Sequence, residues 1–234
     1  SGLRIKHVDP FGKGVICYSF NEGKTWTPPA VVLDTPLDDR DCGITVFGKN
    51  VILTSFNNRI CTQLNWLVTE TDHEIGTLSP DSEIQLYDNG CLDSRKAYIE
   101  GYLNYVDAEK AEADFLGSTY RISQDGGFTF GPIKKAPVTA PHGPAAAPDG
   151  TLYYIGYPFS SVNTPNNLQC WHMGKDGDFQ QTGHIPNIPE RMYGMELCSY
   201  EPHAVVLPDG KILVHIRVQT PYTGEHATRC FTLW

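Results

Sequence analysis

The chain has 234 residues and a net charge of −9, with no basic run to offset it; that balance argues against nucleic acid or an acidic membrane surface as a partner. No apolar run reaches membrane-spanning length, so no membrane insertion is expected. The length allows one large or two ordinary domains with an ample core, and 22 Gly, 17 Pro and 11% aromatic residues suit an all-β chain with many turns.

Ser1-Gly2-Leu3-Arg4 reads as a cut or mature end, without a signal peptide. The chain is therefore read as soluble, with secreted, periplasmic and cytoplasmic locations all open. Seven cysteines (17, 42, 61, 91, 170, 198 and 230) are scattered with no Cys-x-x-Cys pair. Such scatter fits buried small hydrophobes better than a disulfide framework or a zinc site, and no metal or cofactor is expected.

The first element is an apolar strand-like run, Gly14–Tyr18, followed by Ser19-Phe-Asn21-Glu-Gly23-Lys-Thr25-Trp26 and a Pro-containing extended run, 27–33. The pattern returns at Ser123-Gln-Asp125-Gly-Gly127-Phe-Thr129-Phe130, again between an apolar run (117–122) and an extended one (131–138). An Asx side chain bonds the backbone just downstream, Gly supplies the positive φ of a tight turn, and Thr closes the loop. Trp26 and Phe130 are expected to bury their rings between layers.

A second repeat runs through Gly43-Ile-Thr-Val-Phe-Gly48-Lys-Asn50-Val-Ile-Leu-Thr-Ser55, Gly143-Pro-Ala-Ala-Ala-Pro148-Asp-Gly150-Thr-Leu-Tyr-Tyr-Ile155 and His203-Ala-Val-Val-Leu-Pro208-Asp-Gly210-Lys-Ile-Leu-Val-His215. Pro-Asp-Gly between apolar runs signals a hairpin. Outer strands are expected at 167–173 and 179–184, and another from Phe231 to Trp234. Between 58 and 115 lies an insertion containing Asp107-Ala-Glu-Lys-Ala-Glu-Ala-Asp114, a stretch of high helix propensity. It reads as a solvated surface helix, or as one overhanging a mouth.

The Ser-x-Asp/Asn-x-Gly-x-Thr-aromatic turns resemble the Asp-box (BNR) repeat of sialidase-like β-propellers. The resemblance implies one all-β domain over 1–234 made of four-stranded antiparallel blades, six when complete. The chain then holds about three and a half blades, with 58–115 inserted in the second, and is read as a fragment of a longer propeller that would be inactive by itself. Ser19, Asn21, Gly23, Thr25, Trp26 and Ser123, Asp125, Gly127, Thr129, Phe130 are then scaffold, away from the chemistry.

Aligning the hairpins places Asp41, Pro141 and Glu201 at equivalent strand starts, with Arg40, His142 and His203 beside them. Asn57, Tyr157 and Arg217 fall at equivalent ends of the second strands. These residues are expected at one mouth, although solvated strand ends or ion pairs between blades remain an alternative. The Glu201-Pro202 start and Arg217 deepen the resemblance. Sialidases use such a glutamate to polarise a tyrosine nucleophile and such an arginine to clamp the sugar carboxylate.

The resemblance thus implies a glycoside hydrolase acting on a terminal acidic sugar of a glycan. Glu201 and Asp41 are its candidate catalytic residues, and Arg217, Arg40, His142, His203, Tyr157 and Asn57 its candidate binding residues. His142 and His203 do not belong to the sialidase set and leave open a glycosidase or lyase acting on another uronic-type sugar. A non-catalytic carbohydrate- or protein-binding propeller, with Tyr157, Tyr193, Tyr200 and Tyr222 as stacking platforms, also stays open.

Overall fold

A computed structural model describes residues 12–57, 101–102, 104–158, 167–174, 177–186, 191–192, 195–219 and 230–232. The chain forms two compact units, Ser1–Arg40 with Asn57–Leu116, and Asp41–Phe56 with Gly117–Trp234. Most of the expected insertion, together with Cys61, Cys91, Tyr193, Tyr222 and Trp234, lies outside the described residues.

In the first unit, β1 (Gly14–Ile16) pairs antiparallel with β2 (Ala30–Leu33), and the first Asp box makes the turn between them. Ser19 Oγ accepts from Gly23 N at 2.7 Å, and Asn21 Oδ1 accepts from Thr25 N at 2.9 Å. Trp26 does not bury its ring as expected. It is 63% exposed, and its Nε1 donates to Gly23 O across the turn at 3.0 Å. The indole is therefore part of the local turn rather than of a layer interface.

Helix α1 (Ala108–Phe115) forms where Ala, Glu and Lys favour it. Asp107 caps it by accepting from Lys110 N at 3.0 Å, and Leu116 N closes its end on Glu112 O. Eight residues are too few for independent helicity; packing of Ala111 against Leu37, flanked by Val106, Phe115 and Leu116, supplies the rest.

The second unit carries antiparallel sheets in chain order. The first has the order β3 (Arg40–Phe47), β4 (Asn50–Phe56), β5 (Ser118–Ser123), β6 (Lys134–Lys135); Arg40 itself belongs to the first unit. The second has the order β7 (Ala145–Ala146), β8 (Leu152–Gly156), β9 (Gln169–Met173), β10 (Phe179–His184). A short ribbon, β11 (Arg191–Met192) with β12 (Met195–Glu196), precedes the third. The third consists of β13 (Cys198–Val206), β14 (Ile212–Gln219) and β15 (Cys230–Thr232).

Each turn falls where its residues demand it. Gly48, Gly150 and Gly210 hold positive φ at the first hairpin of the three sheets. Asp149 and Asp209 accept from Thr151 N and Lys211 N. The second Asp box joins β5 to β6: Ser123 Oγ accepts from Gly127 N at 2.8 Å, and Asp125 accepts from Thr129 N at 2.9 Å. Phe130 is half-buried, with the Arg121 guanidinium 5.9 Å from its ring centre.

The sheets pack through their faces. Phe47, Ile52 and Tyr120 of the first meet Leu152 and Met173 of the second. Ala145 and Ile155 of the second meet Ala204 of the third. Gly43 is required at its place in β3, since a Cβ there would overlap the backbone of His142 and Gly143. Thr45 Oγ1 donates to Pro144 O at 2.6 Å beside this contact, so β3 lies backbone against backbone with the segment that leads into β7.

Candidate functional site

The site is best built from β13 and β14. Their register is regular from Val206↔Ile212 to His203↔His215, then shifts before Tyr200↔Arg217. The shift sets two residues, Glu201 and Pro202, opposite the single Ile216, one extra residue and hence a β-bulge. Glu201 takes φ 49°, a left-handed conformation that a side chain adopts at a cost of about 1 kcal/mol or more. The expected start of a strand is therefore a strained bulge inside one, since β13 begins at Cys198.

The bulge decides which side chains share a face. Glu201, His203 and Val205 of β13 are exposed, while Pro202 and Ala204 are buried. On β14, Leu213, His215 and Arg217 are exposed and alternate with more buried neighbours. One face of the hairpin thus presents three rungs, Val205 with Leu213, His203 with His215, and Glu201 with Arg217. In the last, Arg217 Nη1 donates to both carboxylate oxygens of Glu201, at 3.0 and 2.9 Å. Both side chains are nearly half exposed (43% and 46%), so this pair contributes little to stability, about 0–1 kcal/mol.

His142 joins the face from the segment leading into β7. Its ring lies edge-to-face on His203, with centroids 5.5 Å apart. His142 holds φ 76° and Asp41 φ 47°. Among the described residues, Asp41, His142, Glu201 and the Asp-box turn residue Glu22 are the non-glycine positions with positive φ. The alignment set Pro141 opposite Asp41 and Glu201. A proline ring forbids positive φ, and the left-handed residue is the next one, His142. Asp41 is exposed, two residues before the Gly43 contact with His142.

His203 carries a pKa below the ordinary histidine value. Partial burial is the main cause, and the neighbouring His142 and His215 add to it. His215 was missed by the strand-end alignment, although the alternation His215-Ile-Arg217 sets the two side chains on one strand face. Among the described residues no group of three or more His, Cys, Asp or Glu is placed to hold a metal ion.

Other expected binding residues are engaged within their own units. Tyr157 is buried (8% exposed) and donates its hydroxyl to Ser199 O at 2.7 Å, so its ring anchors β13 and offers no stacking surface. Arg40, in the first unit, is buried with its guanidinium on the Asp38 carboxylate (Nε to Oδ2, 2.7 Å). Asn57, also there, is fully buried and donates to Phe115 O at the end of α1. Both side chains are buried on partners within that unit. The cysteines depart from expectation as well, since Cys17 and Cys42 are exposed thiols.

The first unit holds one more unusual carboxyl. Asp39 is fully buried and accepts from Thr35 N and Thr35 Oγ1 at 2.5 and 2.9 Å. Burial pushes its pKa up to about 7, and the nearby Asp34 and Asp38 push the same way. The sequence carries no signal for it, because an acidic loop usually reads as solvated.

No protein-family model matches the chain, and no curated protein matches it. Among the described residues no helix is long and apolar enough to cross a membrane.

Proposed function

We propose that the three successive sheets of the second unit are blades of a sialidase-like propeller, and that the exposed face of β13 and β14 belongs to a glycoside hydrolase site for a terminal acidic sugar. What carries the reading is the bulge that holds the Glu201 carboxylate on Arg217 at an exposed face. A backbone strained by about 1 kcal/mol or more to maintain an ion pair worth no more than that is a poor structural device. It is a reasonable way to hold a carboxylate and a guanidinium for a ligand.

In this scheme Arg217 receives the acid group of the sugar through charge-assisted hydrogen bonds. Glu201 acts as the base that polarises a tyrosine nucleophile, as the sialidase resemblance implies; a tyrosine in that role avoids placing a carboxylate nucleophile against an anionic substrate. Asp41 is the second acid.

The test is release of the fluorophore from a fluorogenic α-sialoside by the full-length protein. Glu201→Gln is expected to lower kcat by about 10²-fold or more, and Arg217→Ala to raise KM for the acidic sugar by roughly tenfold or more. Full activity in Glu201→Gln would overturn the assignment. The His142–His203 contact favours a second reading, in which an imidazole transfers the proton on a uronic-type sugar. Activity on a uronide but not on the sialoside, abolished by His203→Gln, would select it.

A further inference from the structure

The Glu201–Arg217 pair does not end the polar row. His203 stands opposite His215 on the same exposed face, and His142 touches His203 from the side. His215 and Arg217 are two residues apart on one strand face. Three imidazoles therefore neighbour one another on a face that also carries the Arg217 guanidinium. The geometry points to a protonation-controlled oxyanion subsite formed by His142, His203 and His215 beside Arg217, which takes the carboxylate of an acidic sugar more tightly as pH falls. The choice of ligand rests on the acidic-sugar reading above, whereas the row of side chains does not.

The chemistry follows from what neighbouring imidazoles do to one another. Neutral rings can lie side by side, but protonated ones repel. His215 on β14 and His142 face His203, and the Glu201–Arg217 pair shares the hairpin face with them. Glu201 is bonded to Arg217 and so offsets that cation rather than the imidazoles. The lowered pKa of His203 agrees with this setting. An incoming carboxylate relieves the repulsion and stabilises the imidazolium form, so binding takes up protons, and by linkage affinity rises as pH falls.

The experiment is calorimetric titration of glucuronate, with uncharged glucuronamide as control, into the full-length protein at about pH 5 and about pH 7.5. Glucuronate is expected to bind about tenfold or more tightly at the lower pH, and glucuronamide to show no such ratio. His215→Gln, an exposed strand position, is expected to reduce the ratio to about threefold or less. His215→Arg, with a fixed charge, should bind at the higher pH about as tightly as the unsubstituted protein does at the lower. A flat ratio in the unsubstituted protein, or one unchanged by His215→Gln, overturns the proposal. Sialoside hydrolysis with a flat ratio would sink this inference alone. A pH-dependent ratio without hydrolysis would sink the catalytic reading alone.

Discussion

Glu201 is where stability and function separate most clearly at the scale of single residues. Its left-handed backbone costs about 1 kcal/mol or more, and its half-exposed ion pair returns at most about the same. Glu201→Gly removes both the strain and the pair, and adds a comparable cost in unfolded-chain entropy. The variant is therefore expected to stay within about 1 kcal/mol of the parent in chemical denaturation and to lose hydrolysis. A loss of more than about 2 kcal/mol with activity retained would make Glu201 a structural residue. None of this strain was legible beforehand. Glycine announces positive φ in a sequence; Asp41, His142 and Glu201 do not. Trp26 was misread for a related reason, since an aromatic residue closing a turn looks the same whether it packs between layers or folds back on its own loop.

Secondary-structure elements were far more legible, because local chemistry sets their turns. Pro-Asp-Gly and Asp-box residues placed the hairpins, and α1 came from Ala and Glu with Asp107 as its cap. What the hairpin pattern does not encode is how closely neighbouring strands approach. At Gly43, β3 lies against the backbone of His142 and Gly143 with no room for a methyl group. Relief would have to come from backbone, not from a flexible side chain. Gly43→Ala is expected to destabilise by about 1–3 kcal/mol and to displace His142, the ring that covers His203. The check pairs a denaturation curve with the histidine ring NMR signals of the variant. Unchanged His142 and His203 signals with parental stability would mean that the two backbone segments have slack at this contact.

For the chain as a whole, pH sums opposing contributions. Asp39 rises from an ordinary 3.8 to about 7, so the folded chain keeps a proton that the unfolded chain has released. Its contribution is complete below about pH 4 and is lost as pH rises through about 7, on the order of 4 kcal/mol at 1.36 kcal/mol per pH unit. Asp125 works the other way. Hydrogen bonds from Thr129 and Ser123 hold its pKa down at about 2, so its contribution is present above about pH 4 and fades as pH falls toward 2. Asp209, lowered by its bonds with Lys211, behaves likewise. His203, also lowered, favours the folded state as pH rises, but it is exposed, and its opposition to buried Asp39 is the weaker. Self-repulsion from a net charge of −9 acts with Asp39, because it grows as carboxyls ionise. Stability is thus expected to peak on the acid side of neutrality, near pH 4–5, and to fall toward pH 8. Asp39→Asn keeps an acceptor for Thr35 N without a titrating proton, so thermal midpoints of this variant between about pH 5 and 8 should lie nearly flat. An undiminished decline would mean that the buried carboxyl of Asp39 is not its source. A flat profile would show that a single buried side chain, held by Thr35, sets the alkaline limit of a chain whose composition predicts only repulsion.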